Sequence, residues 1–149
     1  TYKNVSSIMF LDPEVAAVGM NEQQARASGI PHKVVKLDFS CIARAIAMDK
    51  VTGFFKIIVT DDEEMKILGM RALGESASSA IQAVALLIEM DRSIVELENL
   101  IHPHPSIIEG IQECVRMLQG SPIFKSSIFT DKLKAYSYKE GVCTPLNIV

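Results

Sequence analysis

The sequence has little cysteine and no long apolar run. Its cysteines are odd in number and widely spaced, without a Cys-x-x-Cys pair: Cys41, Cys114 and Cys143. This spacing suggests neither a disulfide framework nor a zinc knuckle, and it fits a reducing cytoplasm. The longest apolar run covers residues 80–90 and is interrupted by Gln82 and Glu89. It is far shorter than the roughly 20 residues that a membrane-spanning helix needs. No membrane segment is therefore predicted.

Positive charge is also scarce. The chain has 15 Lys and Arg residues against 18 Asp and Glu residues, a net charge of −3, and no stretch concentrates the basic residues. Because phosphate backbones are bound by clustered cations, a nucleic-acid partner is not expected. No secretory signal peptide is recognisable either, so we expect a cytoplasmic protein.

Glycine is present, but not in the pattern that binds dinucleotides. The eight glycines never form Gly-x-Gly-x-x-Gly, which places backbone N–H groups around the pyrophosphate of FAD or NAD(P). We therefore predict no cofactor-binding residue within this chain. The spacing of the histidines and cysteines does not favour a metal site.

What the sequence does contain is enough apolar material for one core. Of its 149 residues, 48% are hydrophobic and 22% charged, as in ordinary globular domains. The mean hydropathy of +0.22 is high for a small domain. We expect another subunit or domain to cover part of its apolar surface. The first residue is Thr1, and we expect the chain to be a domain of a longer protein.

The first third of the chain predicts a strand and a short helix. Residues 5–11 form an apolar stretch that stops at Asp12-Pro13, as a strand does before proline. Asn21 and Gln24 are spaced as an N-cap and its reciprocal partner, and Gly29 is a typical helix stop. A helix is therefore predicted over residues 21–28.

The middle of the chain predicts strands. Residues 34–38 form a strand candidate, whereas residues 39–52 have mixed character and receive no assignment. Residues 53–60 and 65–73 are rich in β-forming side chains, and four acidic residues lie between them. These two segments predict an antiparallel hairpin.

Helical patterns dominate the next part. Residues 76–90 place apolar side chains at helical spacing and on nearly every face, which predicts a central helix between a sheet and a subunit interface. Ser93 and Glu96 have capping-box spacing and predict a short helix to about residue 100.

A second capping-box pair, Ser106 and Glu109, predicts a helix ending near Gly120. Its apolar face carries Ile107, Ile111, Cys114, Val115 and Leu118, and its other faces carry Glu109, Gln112, Glu113 and Arg116. We divide the chain into a domain over residues 1–120 and a tail of unknown role over 121–149. The tail interleaves lysines with tyrosines, and we expect it to pack irregularly or to be partly disordered.

The best candidate for chemistry is the segment around His104. Prolines at positions 103 and 105 restrict its backbone, and Glu109 lies one helical turn into the following helix. A carboxylate there can orient an imidazole as a general base. Other interpretations stay open: Glu109 as a helix cap for Ser106, and His102 and His104 as loop residues or as zinc ligands.

These residues also resemble a family. The run His104-Pro105-Ser106-Ile107-Ile108-Glu109 is similar to the His-Pro-Thr-x-x-Glu signature of pyridine nucleotide-disulfide oxidoreductases. Asp12-Pro13-Glu14-Val15-Ala16-Ala17-Val18-Gly19 resembles the opening of their C-terminal domain, and Arg44-Ala45, Gly53-Phe54-Phe55-Lys56 and Ile67-Leu68-Gly69 follow in the family's order. The resemblance covers residues 5 to about 119 and is greatest to the dihydrolipoamide dehydrogenase branch.

The resemblance implies a fold and an activity. The expected fold is α+β: an antiparallel sheet with helices packed against it, forming a homodimer contact and joined to FAD- and NAD-binding domains of the same protein. The implied catalytic residues are His104, which exchanges protons with thiols at the partner's redox disulfide, and Glu109, which orients it. His102 is given no such role, and Ser106 replaces the usual threonine.

The chain lacks the rest of such an enzyme. It has neither the family's Cys-x-x-x-x-Cys pair nor a dinucleotide cradle, so FAD and NAD(P) are expected in the full-length protein only. We expect the isolated chain to be inactive. Two alternatives remain: a non-catalytic structural or interaction module derived from this domain, or part of a flavoenzyme with a substrate other than a dithiol.

Overall fold

A computed structural model describes residues 4–148 of the chain. Within that range the strands are Ser7–Met9 (β1), Val15–Gly19 (β2), His32–Asp38 (β3), Phe54–Thr60 (β4), Ile67–Leu73 (β5), Leu133–Lys139 (β6) and Val142–Pro145 (β7). The α-helices are Glu22–Ala27 (α1), Ala43–Ala47 (α2), Ala77–Glu89 (α3) and Glu109–Leu118 (α4). Short 3-10 helices cover Phe39–Cys41 and Ile94–Leu97. None of the helices in residues 4–148 has both the length and the apolar character to cross a membrane.

The strands form one antiparallel sheet in the order β1-β2-β5-β4-β3-β6-β7. Helix α3 packs against β2 and β5, and α4 packs against β3 and β4. The core lies between the sheet and these helices, where Phe39 and Phe55 are fully buried in an edge-to-face contact with ring centroids 4.8 Å apart. Such contacts add to the stabilisation from apolar burial.

The predicted α+β fold is confirmed, and so are several of its elements. The hairpin predicted over residues 53–73 is formed by β4 and β5, which pair Phe54 with Leu73. Helix α1 has the predicted reciprocal cap: the Gln24 N–H lies 2.8 Å from Asn21 Oδ1, and the Asn21 N–H lies 2.8 Å from Gln24 Oε1. Local side-chain bonds of this kind are what a short sequence pattern can reveal.

The N-terminal prediction was partly wrong. The strand predicted over 5–11 is limited to β1, and the chain turns at residues 12–13 and returns as β2, which was not predicted. Strand β2 is rich in small residues, and its strand character comes from pairing with β1 on one side and β5 on the other. Residues 39–52, which received no assignment, contain a 3-10 turn and the short helix α2.

Helix α3 agrees with the predicted helix over 76–90. One face buries Ala77, Ala80, Ile81 and Val84, whereas Leu86 and Met90 are exposed. The helix predicted from Ser93 is only a 3-10 turn over Ile94–Leu97. The Ser93 hydroxyl accepts from the Val95 N–H, but Glu96 pairs with Arg92 and closes no capping box.

The prediction that the tail packs irregularly or is partly disordered was wrong. Strand β6 pairs with β3 along its length, from Leu133 opposite Leu37 to Tyr138 opposite His32, and β7 pairs with β6. Leu133 and Ala135 are buried against the core. We call residues 121–148 the C-terminal extension. It enlarges the sheet at the β3 edge, because a strand edge offers unpaired N–H and C=O groups.

Candidate active site

His104 lies in the irregular segment that leads into helix α4. Its side chain is 71% exposed. Glu109 is the first residue of α4 and is mostly covered. The prolines on both sides of His104 keep this segment out of the helical conformation, so the helix begins only after it. The sequence thereby places an imidazole, which can act as an acid or a base, on a restricted backbone just before the first residue of α4.

The two predicted site residues are in direct contact. His104 Nδ1 lies 2.8 Å from Glu109 Oε1. A carboxylate is an acceptor only, so this contact favours the ring tautomer with the proton on Nδ1 and a free lone pair on Nε2. The pair therefore presents a proton acceptor toward the surface, held in orientation by a carboxylate.

Glu109 also serves the backbone. Its Oε2 accepts from the Ser106 N–H at 2.7 Å, as the third residue of a capping box does. The reciprocal half is missing in the described residues, because the Ser106 hydroxyl is buried without a hydrogen-bond partner. The cap interpretation and the orienting interpretation of Glu109 are thus compatible: one carboxylate oxygen holds the turn, and the other holds the imidazole.

These contacts keep Glu109 ionised. Burial raises the pKa of the Glu109 carboxyl, but the hydrogen bonds from the Ser106 N–H and His104, with the charges of His104 and His102, lower that pKa below its ordinary value. Donors that favour the charged form of an acid lower its pKa. Near neutral pH, Glu109 is therefore an anion able to stabilise an imidazolium at His104.

Gly110 lets helix α4 approach the sheet closely. A Cβ at this position would lie 2.5 Å from Ile42 Cδ1 and 2.9 Å from Phe55 Cδ2. These distances are shorter than van der Waals contact allows. The absence of a side chain at Gly110 thus fixes the start of α4, and with it Glu109, against the core.

His102 is occupied elsewhere. Its Nε2 lies 3.0 Å from the Leu97 carbonyl oxygen, which makes it a donor to the backbone. Across residues 4–148 no three His, Cys, Asp or Glu side chains are grouped so that they could hold a metal ion. If His102 and His104 were zinc ligands, the described residues would supply no third ligand beside them.

The two buried cysteines are poor sources of thiolate. Cys41 and Cys114 are buried and Cys143 is exposed, all three as free thiols. Burial raises the pKa of Cys41 and of Cys114, and a thiol with a raised pKa is a poor nucleophile. Cys41 lines the same cavity as His104 but has no disulfide partner within residues 4–148, so a redox disulfide acting with His104 would have to come from elsewhere.

Sequence reasoning missed part of the site. Glu113 was expected on an outer face of α4, but it is only 3% exposed. It follows Glu109 by four residues and precedes Arg116 by three, so all three share one face of the helix. Together with His104 they line a cavity of about 250 Å³. The spacing of these residues could have revealed their shared face. No sequence pattern indicated that residues 123–124 would bury Glu113.

The chain is similar in sequence to several curated proteins. The chain is 33% identical over 122 residues to mitochondrial dihydrolipoyl dehydrogenase from Pisum sativum, covering 82% of this chain and 24% of that protein. It is 34% identical over 122 residues to dihydrolipoyl dehydrogenase from Geobacillus stearothermophilus, covering 82% and 26%. The chain thus spans about a quarter of the length of these relatives.

A solved structure shows the same fold. The HOCl-induced flavoprotein disulfide reductase RclA from Escherichia coli superposes with a TM-score of 0.75 at 31% identity, over 78% of this chain and 27% of that one. Residues 5–115 match the model of the pyridine nucleotide-disulphide oxidoreductase dimerisation domain. This match confirms the resemblance, and the chain belongs to the pyridine nucleotide-disulphide oxidoreductase family as a dimerisation domain.

Proposed function

We propose that this chain is the dimerisation domain of an FAD- and NAD(P)-dependent disulfide oxidoreductase similar to dihydrolipoyl dehydrogenase. In this proposal His104 exchanges protons with thiols at the redox disulfide of the partner subunit. The observation that carries it is the 2.8 Å contact between His104 Nδ1 and Glu109 Oε1, which leaves Nε2 available on an exposed ring.

The proposed chemistry is a thiol–disulfide exchange. His104 Nε2 takes the proton of a substrate thiol, and the resulting thiolate attacks one sulfur of the partner's disulfide while the other sulfur leaves as a thiolate. Glu109 is a positioning residue: it fixes the tautomer and stabilises the imidazolium. Transfer of the proton from the His104 imidazolium to the leaving thiolate then restores the neutral ring. General acid–base assistance of this kind contributes about 10²–10⁴ in rate.

The residues of this chain do not fit the cofactors themselves. None of its glycines forms the Gly-x-Gly-x-x-Gly cradle, and Gly19 is used in packing: a Cβ there would lie 2.3 Å from the Leu68 carbonyl oxygen, so this glycine lets β2 and β5 lie side by side. We therefore place FAD and NAD(P) in parts of the protein beyond this chain, and we propose that the chain alone has no reductase activity.

A homodimer is part of the same proposal. Several large apolar side chains are exposed on and beside β1 and on α3: Val5, Met9, Phe10, Leu11, Leu86 and Met90. Those in residues 5–11 are near one another in the chain, and exposed apolar side chains that lie together are typical of an interface. We expect the full-length protein to sediment as a dimer, and a monomer at high concentration would contradict this part of the proposal.

The decisive experiment replaces His104 in the full-length protein. We expect His104→Gln to lower dithiol–disulfide turnover by about 10²–10⁴ and to leave the flavin absorbance spectrum unchanged. Glu109→Gln should lower turnover less and should alter its pH profile, because the imidazolium loses a charged neighbour.

His102→Gln is the matched control. His102 lies two residues away but bonds to a backbone carbonyl, so its replacement should leave turnover within a few-fold of the parent. Unchanged turnover in His104→Gln would overturn the acid/base role. It would favour a structural module or a flavoenzyme acting on another class of substrate.

A further inference from the structure

The cavity beside His104 has two kinds of wall. One face of α4 contributes Glu109, Glu113 and Arg116. The remaining lining is mostly apolar and includes Leu37, Ile42, Ala43, Ile123 and Phe124. Two of these, Ile123 and Phe124, belong to the C-terminal extension, beyond residue 115 where the match to the family domain ends. The extension therefore adds a wall to the proposed active site.

Glu113 holds this wall in place. Its Oε1 accepts from the N–H groups of Ile123 at 2.7 Å and Phe124 at 3.2 Å, and its Oε2 lies 3.3 Å from Arg116 Nη1. A carboxylate that is 3% exposed is stable only when its oxygens are well bonded. These donors offset the cost of burying Glu113. Their hydrogen bonds therefore hold the backbone of residues 123–124 against helix α4.

The size of the cavity suits part of a substrate. An apolar cavity of about 150 Å³ accommodates benzene, and pockets for whole ligands begin at about 300 Å³. A cavity of about 250 Å³ therefore has room for a short alkyl chain or a small ring. His104 lies among the lining residues, so a chain bound there would hold its attached sulfur close to the imidazole.

The charged side chains that line the cavity also determine which ligands fit it. Arg116 balances Glu113, whereas Glu109 remains an anion because its pKa is lowered. With His104 neutral, the cavity carries a net negative charge, which disfavours a carboxylate on the bound chain. An uncharged chain is the better fit.

We infer that this cavity binds the uncharged apolar chain of the thiol or disulfide substrate, with Ile123 and Phe124 of the C-terminal extension as its outer wall. This inference rests on the proposed function, since it needs His104 to act on a sulfur. It assigns the extension a role in substrate selection that the family-matched residues cannot supply.

The test uses the full-length protein labelled at isoleucine methyl groups and kept under reductant. Titration with n-butanethiol should give saturable shifts at Ile42 and Ile123. Mercaptopropionate, which carries a carboxylate, should bind at least about tenfold more weakly, equal to about 1.4 kcal/mol. Ala43→Phe leaves the sequence of the extension unchanged; it should fill the cavity and abolish the shifts caused by n-butanethiol.

Two more variants complete the design. Ile128→Ala is the matched control, because Ile128 is in the extension and about as exposed as Ile123, 71% against 65%, but lies outside the cavity lining. It should bind n-butanethiol like the parent. Phe124→Ala, which removes part of the wall, should weaken binding several-fold. This variant keeps the inference falsifiable if Ala43→Phe does not fold.

The measurements distinguish a failure of this inference from a failure of the proposed function. Absence of saturable shifts at Ile123, or full binding by a folded Ala43→Phe, would overturn the inference even if His104→Gln loses turnover. Binding of n-butanethiol together with unchanged turnover in His104→Gln would overturn the proposed function, and the inference with it.

Discussion

Two regions share one sheet and are held in it by different forces. The family-matched residues 5–115 contain nearly all of the deeply buried side chains, with Phe55, Ile57 and Met70 fully buried. In the extension, within the described part of the chain, the buried hydrophobic residues are Leu133, Ala135 and Ile148, which are 4–8% exposed. The first region is stabilised by apolar burial, and the second has little of it.

The extension is tied down by polar contacts instead. Besides the pairing of β6 with β3, the Tyr136 hydroxyl donates to Glu22, the Ser137 hydroxyl donates to Asp61, and Glu113 holds the turn at residues 123–124. Hydrogen bonds contribute about 1 kcal/mol each and depend on charge, whereas a fully buried aromatic contributes more. We therefore expect the extension to open before the core does.

The largest expected effect comes from comparing two aromatic pairs. Phe39 and Phe55 are fully buried, whereas Phe124 and Phe129 meet with centroids 5.5 Å apart in the half-buried extension. We expect Phe55→Ala to lower the free energy of unfolding by about 3–5 kcal/mol and Phe129→Ala by only about 1–2 kcal/mol. Urea unfolding measures both. Equal losses would show that the two regions are held alike.

The next effect concerns the buried carboxylate that joins the regions. Glu113→Ala leaves the N–H groups of Ile123 and Phe124 without their acceptor, at a cost of about 2 kcal/mol. We expect these two amides to exchange with deuterium about thirtyfold faster, while core amides stay protected. Glu96→Ala is the control, since Glu96 pairs with Arg92 on the surface and such pairs contribute little. Uniform acceleration across the core would contradict the prediction.

Acid should loosen the extension through Asp61. Burial raises the pKa of Asp61, but hydrogen bonds from Ser137 and Lys139, with the charges of Lys139 and Lys33, bring it below its ordinary value of 3.8. Because the folded-state pKa is the lower one, the stabilisation is complete well above pH 3.8 and is lost as pH falls below it. We expect the exchange of β6 amides to accelerate in that range.

Asp61→Asn separates this charge effect from general acid unfolding. Its β6 amides should exchange faster than the parent's at neutral pH, with protection reduced by about 1–2 kcal/mol, and should show a flatter dependence on pH. Glu63→Gln, at an exposed position in the same turn, should behave like the parent. A pH dependence that survives in Asp61→Asn would assign the acid sensitivity to other groups.

The sequence predicted those parts of the fold that depend on neighbours in the chain. The reciprocal cap of α1 joins Asn21 to Gln24, and the β4–β5 hairpin surrounds one acidic turn. The pairing of His104 with Glu109 spans five residues. Each of these contacts forms within a few residues, so the pattern of residue types contains most of the information.

The parts that were missed depend on distant partners. Strand β6 has a strand-like alternation, but the feature that makes it a strand is the free edge of β3, about a hundred residues earlier in the chain. Glu113 looks like a surface residue until the N–H groups of residues 123–124 arrive to bond it. The cavity joins residues from Leu37 to Phe124, and no local pattern links these positions.

The smallest expected effect tests a single bond between the regions. The Tyr136 hydroxyl of β6 donates to the Glu22 carboxylate, which also binds Lys56. Tyr136→Phe keeps the ring and removes only that donor, so protection of β6 amides should fall by about 1 kcal/mol. Tyr138→Phe is the matched control: the Tyr138 ring lies against Arg26, a contact that phenylalanine preserves. If both variants exchange alike, the bond to Glu22 does not hold the extension, and strand pairing with β3 is sufficient to keep it in the sheet.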